Sequence, residues 1–284
     1  MTKIRYPSHA GAFYAGNPES LRRQIEDCFL HDLGPGTIPE TEYSGPRQIL
    51  GLICPHAGYP FSGPVAAHAY HKMASDGKPD VVVILAPNHT GRGSALAAMN
   101  EGVWRTPLGD VEIDGESADL IVKKSRIVDI DDTAHRNEHS IEVQIPFLQY
   151  LYNSDFEIVP ICFSMQDLST SREVGEAIAQ VLEDKNGLII ASSDMTHYEP
   201  QKEAKRKDEM LLDSVKAMDE SRMYSTIQSH RITACGYGPI AALITAAKRS
   251  QATGVNLLSY QTSGDVTGDY SSVVGYASMC FKKK

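Results

Sequence analysis

The chain has 284 residues, a formal net charge of −9 and a charged fraction of 22%. This acidic balance argues against general binding of nucleic acid or of anionic membranes, because both need a basic surface. No apolar run approaches the ~18 residues of a membrane span, and the N-terminal residues contain no apolar signal region, so we expect a cytoplasmic protein without a membrane segment.

The first predicted elements are a loop and a helix. Residues 8–14 form the loop, which carries His9 and Phe13. Asn17 is a typical N-cap residue and Pro18 suits the first helical position. The sequence therefore predicts a helix that begins at Pro18.

Three apolar runs each end in a turn that carries a histidine. The stretches are 50–61, 81–89 and 188–197, and their histidines are His56, His89 and His197. Continuous Val, Ile and Leu runs are typical of strands buried on both faces of a parallel sheet. Ligands collect beyond the carboxyl ends of such strands. If the three strands run the same way, the histidines should therefore meet at one site.

The remaining elements continue an alternation of strands and helices. Helices are predicted at 63–75, 115–125, 141–152, 169–182, 200–218 and 240–248, and strands within 94–114 and at 156–163, 187–192, 256–262 and 271–281. This alternation has no obvious boundary. We therefore predict one α/β domain over 1–284, with a central, largely parallel or mixed sheet flanked by helices.

Histidines on adjacent strand ends suggest a metal site, since neutral imidazole suits Fe, Cu and Zn. His56 and His89 supply two ligands, and an alternative is that they only hydrogen-bond their own turns. Candidates for a third ligand are Cys235, Asp194, Glu138, Glu142 and His197. His197 is also a candidate general base, with Asp194 orienting it.

The five cysteines are odd in number and never form a Cys-x-x-Cys pair, which favours reduced thiols. Cys235 precedes a predicted helix, whose N-terminus would favour the thiolate that binds metals. The alternative for Cys235 is a small buried thiol. The chain has no Gly-x-Ser-x-Gly, Gly-x-Gly-x-x-Gly or P-loop motif, which disfavours serine hydrolysis and nucleotide chemistry.

Five short motifs together resemble the Memo family, whose prokaryotic members are also called AmmeMemoRadiSam system protein B. They are Pro55-His56-Ala57-Gly58-Tyr59, Pro87-Asn88-His89, Glu138-His139-Ser140-Ile141-Glu142, Ser192-Ser193-Asp194 with His197, and Cys235-Gly236. The resemblance extends from Ser8 to the closing strands. It implies a fold similar to that of the class III extradiol dioxygenases, which bind non-haem iron.

The resemblance also implies roles for individual residues. His56 and His89 match the two metal histidines of Memo proteins, and Cys235 matches the third ligand position, where the dioxygenases carry a carboxylate. His197 matches the dioxygenase acid/base histidine, with Asp194 beside it. Thiolate in place of carboxylate favours Cu(I) or Zn relative to Fe(II), so ring cleavage does not follow from the fold.

The leading hypothesis is a metal-dependent redox protein that uses non-haem iron or copper. The residues expected to contact its substrate are His9, Phe13, Tyr59, His139 and Glu142. An alternative is a non-catalytic protein that binds a peptide or small molecule on the same fold, and a zinc hydrolase is less favoured. In prokaryotes the resemblance implies a functional link with a radical SAM protein and an AMMECR-type protein.

Overall fold

The fold is built on one mixed β-sheet. The computed structural model describes residues 2–283, and twelve strands within them join this sheet. In chain order they are β1 Ile4–Arg5, β2 Ile49–Cys54, β3 Val81–Pro87, β4 Leu96–Ala98, β5 Val103–Thr106, β6 Gly109–Ile113, β7 Asp129–Ile130, β8 Glu157–Phe163, β9 Gly187–Ser192, β10 His197–Glu199, β11 Gly254–Thr262 and β12 Val273–Lys282.

The centre of the sheet is parallel. Strands β8, β3, β9 and β2 lie side by side in that order and run the same way. β3 is buried along its whole length, which explains its unbroken apolar sequence. The carboxyl ends of β2, β3 and β9 therefore meet at one edge of the sheet, as the sequence predicted. Antiparallel β12 extends the sheet beyond β2.

Helices cover both faces of the sheet. They are α1 Pro18–Leu30, α2 Tyr59–Ala74, α3 Gly115–Ser125, α4 Ile145–Tyr152, α5 Leu168–Val181, α6 Gln201–Lys216, α7 Glu220–His230, α8 Tyr237–Arg249 and α9 Ser263–Thr267. Helix α8 packs on β2, β3 and β9, while α2 packs on β2 and β12. The described residues thus form a single α/β domain. None of the helices within 2–283 is both long and apolar enough to cross a bilayer.

Local sequence signals explain where several helices begin. Asn17 caps α1 by accepting a hydrogen bond from Ser20 N at 2.9 Å, as predicted. Helix α2 begins at Tyr59 rather than at residue 63, because the proline after Tyr59 is tolerated in a first turn. Helix α7 was not predicted. Its N-cap is Asp219, and Met223 is its one buried apolar residue, so it has little apolar periodicity to detect.

The core contains a buried histidine between β4 and β8. His135 is fully buried, its Nε2 lies 3.0 Å from the Ala97 carbonyl, and burial lowers its pKa to about 4. The pKa of an unfolded-chain histidine is about 6.5. The folded state therefore binds this proton less readily than the unfolded chain. The contribution of His135 to the free energy of unfolding is therefore fully present above about pH 6.5, and it is lost as the pH drops towards the folded-state pKa.

We expect this histidine to make the metal-free protein acid-sensitive. Between about pH 7.5 and about pH 4.5, His135 should remove roughly 2 kcal/mol of unfolding free energy. Urea unfolding at both pH values, for wild type and His135→Phe, measures this contribution. The phenylalanine variant should lose less stability on acidification by that amount. An equal loss in the two proteins would contradict the prediction.

Candidate functional site

His56 lies in the loop that follows β2 and is only 2% exposed. Its backbone N–H donates to Asp194 Oδ1 at 2.8 Å, which fixes the loop against the end of β9. Its ring contacts Ser192 Oγ through Nδ1 at 2.8 Å and Cys235 Sγ through Nε2 at 3.1 Å. Burial, followed by the nearby histidines, holds the pKa of His56 well below its ordinary value, so the ring is neutral.

His89 follows β3 and is oriented by a buried carboxylate. The Glu138 side chain accepts from His89 N at 2.5 Å, and its Oε1 lies 3.0 Å from His89 Nδ1. Burial alone would raise the pKa of Glu138, but the hydrogen bond and charge of His89 lower it below its ordinary value. Glu138 is therefore an ionised acceptor that engages Nδ1, which leaves Nε2 of His89 available to a metal ion.

His139 joins these two histidines. Its ring stacks on His89 with centroids 4.7 Å apart, and it lies 5.4 Å from the His56 ring. One ligand nitrogen from each of the three histidines lies within 4.8 Å of the others. Burial lowers the pKa of His139 to about 4, so this ring too is neutral and able to bind a metal. We call His56, His89 and His139 the histidine cluster.

Cys235 approaches the cluster from the segment that precedes α8. Its backbone N–H donates to Asp194 O at 3.3 Å, and the Asp194 N–H lies 3.3 Å from its sulfur. A side chain at Gly236 would collide with Ser192 O, so glycine allows this segment to come so close to β9. The predicted helix N-terminus does not produce a thiolate here. Burial raises the pKa of Cys235, which therefore carries its proton when no metal is present.

The predicted catalytic pair follows β9: Asp194 lies in the connection after it, and His197 is the first residue of β10. Burial raises the pKa of Asp194 to about 6, while the hydrogen bond from the His56 backbone N–H acts in the opposite direction. His197 Nδ1 lies 2.9 Å from Thr233 O, a group that only accepts, so Nδ1 carries the proton. The Nε2 atom of His197 is then free to take up a proton, as a general base must.

The N-terminal loop supplies aromatic contacts at the opening of the site. The Phe13 ring lies 4.6 Å from His139 and 4.9 Å from His9. His9 in turn lies 5.2 Å from His139. Phe13 and His9 are half-buried. Both predicted substrate-contact residues therefore lie beside the histidine cluster with part of their surface free.

Two other predicted substrate-contact residues lie in the interior. Tyr59 is 3% exposed, and its hydroxyl donates to Val143 O at 2.7 Å. Glu142 is fully buried, and its carboxylate pairs with Arg5 and accepts from Tyr14 OH at 2.6 Å and His9 N at 2.9 Å. Neither side chain lines the opening, because its polar atoms are used within the protein. We assign both to holding the loop rather than to substrate contact.

The donor set suits a transition metal. Three imidazoles and one thiol converge, and the Nδ1 atoms of His56 and His89 already have protein partners. This arrangement leaves nitrogen lone pairs for an ion, with carboxylate and hydroxyl groups behind them. Imidazole and thiolate together suit Cu, Fe and Zn better than Mg or Ca. The residues present therefore fit a soft to borderline metal ion.

Sequence reasoning placed some residues correctly in space and missed others. It predicted that His56, His89 and Cys235 lie together, as they do in the structure, and it considered Glu138 as a ligand rather than as a hydrogen-bond partner. It quoted Ser192 within a motif without giving it a role, and it did not consider Gln144; the two side chains contact each other at 2.8 Å behind His56. The available signal was the polar Ser192 at the end of an apolar strand. Gln144 has no local pattern that marks it.

Comparisons with known proteins identify relatives over nearly the whole chain. The family described as Memo-like protein matches residues 5–280. A MEMO1 family protein of Methanopyrus kandleri is 54% identical over 98% of this chain and 99% of its own length. A MEMO1 family protein of Methanothermobacter thermautotrophicus is 52% identical over 97% of this chain and 99% of its own length.

A solved structure supports the fold alone. The crystal structure of an uncharacterized protein from Escherichia coli K12 matches with a TM-score of 0.54 and 14% sequence identity. The match covers 81% of this chain and 99% of that one. At so low an identity, the likeness concerns the arrangement of strands and helices and carries no information on activity.

Proposed function

The chain belongs to the Memo family, and from this membership we propose that it is a metal-dependent redox protein that uses iron or copper. The observation that carries the proposal is the histidine cluster, whose ligand nitrogens lie within 4.8 Å of one another. His56 and His89 are the proposed core ligands, with Cys235 as the third. His139 is the alternative third ligand, since it lies in the same cluster.

Bound iron or copper would supply one-electron chemistry and an open coordination position. The protein's own residues would then do three things. Glu138 orients His89 through Nδ1. The Asp194 carboxylate fixes the loop of His56 by accepting a hydrogen bond from the His56 backbone N–H. His197 takes up or returns a proton at Nε2, because Thr233 O engages the other nitrogen. Phe13 covers one side of the cluster and limits the access of water.

Metal content provides the direct test. We expect anaerobically purified wild-type protein to hold close to one equivalent of iron or copper by mass spectrometry, and His56→Ala or His89→Ala to lose it. Cys235→Ser and His139→Ala are then compared, and the variant that loses the ion identifies the third ligand. His230→Ala is the matched control, since His230 is an exposed residue at the end of α7. A wild-type protein that stays metal-free after reconstitution would overturn the proposal.

Redox activity needs a separate measurement. The metal-loaded protein should show a reversible change in its electron paramagnetic resonance spectrum on anaerobic reduction and re-oxidation. A stoichiometric zinc protein with no such change would contradict the redox assignment and would favour the hydrolase alternative, because zinc has no redox chemistry.

A binding function is the second candidate, favoured by the aromatic contacts at the opening. Phe13 and His9 present partly free rings next to His139, and such surfaces suit peptides or planar small molecules. This candidate needs no metal. A ligand that binds wild type and His56→Ala equally well would support it over the redox assignment.

A further inference from the structure

The Ser192 hydroxyl contacts three polar groups, one of which is the ring of His56. Ser192 is the last residue of β9 and is fully buried. Its oxygen receives a hydrogen bond from Gln144 Nε2 at 2.8 Å and donates to Ser140 O at 2.7 Å. His56 Nδ1 is its third neighbour, at 2.8 Å. The serine therefore connects a strand end, the 3₁₀ turn Glu142–Gln144 and the candidate metal ligand.

The orientation of the Gln144 amide follows from its other contacts. Gln144 Nε2 lies 3.0 Å from Pro55 O, which can only accept a hydrogen bond. Gln144 Oε1 accepts from the Tyr70 hydroxyl at 2.6 Å. Exchanging the amide oxygen and nitrogen would place two oxygens against each other at Pro55. The amide nitrogen therefore faces Ser192 as a donor.

The position of the Ser192 proton then follows by counting. A hydroxyl has one proton and two lone pairs. Ser140 O is an acceptor only, so it receives the proton, and the Gln144 amide occupies one lone pair. The remaining lone pair faces His56 Nδ1. An unprotonated nitrogen there would set two lone pairs against each other, so His56 Nδ1 carries a proton.

The other ring nitrogen faces a sulfur atom. His56 Nε2 lies 3.1 Å from Cys235 Sγ. A neutral imidazole has one N–H and one nitrogen lone pair, so a proton on Nδ1 leaves the lone pair of Nε2 on the side of Cys235.

We propose that Ser192 and Gln144 are positioning residues that fix the Nδ1–H tautomer of His56 and thereby keep Nε2 available for a metal ion. The tautomer itself is a property of the metal-free protein. Its use for metal binding rests on the function proposed above. Loss of an oriented partner behind a metal-binding histidine typically weakens metal affinity about 10- to 100-fold.

Nuclear magnetic resonance tests the tautomer without any metal. Long-range ¹H–¹⁵N correlation spectra of histidine-labelled protein distinguish the two neutral tautomers, and the signals that His56→Gln removes identify His56. We expect the Nδ1–H pattern in wild type and in the control Ser278→Ala, which removes a buried hydroxyl that has no partner within residues 2–283. Ser192→Ala should shift His56 towards the other tautomer, and Ser192→Thr should restore it.

The wild-type spectrum alone can overturn the proposal, because an Nε2–H pattern for His56 would contradict it even if a variant failed to fold. Cobalt(II) affinity, measured by chelator competition, tests the consequence. We expect binding about 10- to 100-fold weaker in Ser192→Ala than in wild type or Ser278→Ala. Equal affinity would overturn the positioning role. A wild type that shows the Nδ1–H pattern but binds no metal would instead overturn the proposed function.

Discussion

Glu138→Gln is expected to weaken metal binding about 10- to 100-fold and to lower the unfolding free energy by about 3 kcal/mol. The Glu138 carboxylate is fully buried and accepts backbone hydrogen bonds from His89, His139 and Ser140 at 2.5 to 2.9 Å. An amide group supplies one oxygen and one nitrogen in place of two oxygens. At least one backbone N–H would then face another donor, and His89 would lose its ionised partner.

Metal competition and urea unfolding measure the two effects of Glu138→Gln separately. Glu220→Gln provides a matched control, because Glu220 is also a buried carboxylate but pairs with Arg172 and Lys248, away from the histidine cluster. We expect this control to lose stability while keeping the metal affinity of wild type. Unchanged metal affinity in Glu138→Gln would show that Glu138 does not orient the ligands.

The site shows which of its parts local sequence can predict. His56 and His89 could be placed together because each follows an apolar run, and the carboxyl ends of parallel strands meet. The order β3, β9, β2 brings their ring centroids to within 5.2 Å. Cys235 could be placed at the N-terminal end of a helix, but its ionisation could not be predicted. Burial, which depends on the whole fold, raised its pKa against the expected effect of the helix.

The hydrogen-bonding roles of the residues behind the histidines could not be predicted, for a different reason. Glu138, Gln144 and Ser192 act through hydrogen bonds that join segments far apart in the chain, such as Glu138 with His89 and Gln144 with Pro55. No local periodicity encodes these pairings. Tyr59 shows the converse error: a tyrosine in a site motif suggested substrate contact, although its ring packs 4.9 Å from Phe147 in the core.

The N-terminal loop depends on a buried ion pair. Arg5 pairs with Glu142, with the two side chains 4% and 0% exposed. Arg5 also donates to His135 O at 3.0 Å and to Glu138 O at 2.6 Å, and its guanidinium lies 4.4 Å from the centre of the Trp104 ring. Burial would raise the pKa of Glu142, but the charge of Arg5 lowers it. The pair therefore connects the loop to the segment that carries Glu138.

Arg5→Met should destabilise the protein by about 3 to 5 kcal/mol near neutral pH, because it leaves the Glu142 carboxylate buried without a cation. The sign of the pH effect follows from that charge. Without Arg5, burial raises the pKa of Glu142, so acidification neutralises the carboxylate and relieves part of the loss. Urea unfolding should therefore show a smaller difference between wild type and Arg5→Met in acid than at neutral pH.

Two further variants separate this effect from the loss of a surface charge. Lys216→Met breaks an exposed pair with Asp213 and should change stability by no more than about 0.5 kcal/mol. Arg5→Met combined with Glu142→Gln removes the unpaired charge and should recover part of the stability. In hydrogen exchange, the amides of Ser8 and His9, which donate to Glu142 at 2.9 Å, should lose protection in Arg5→Met. Unchanged protection there would mean that the loop keeps its place over the histidine cluster without this pair.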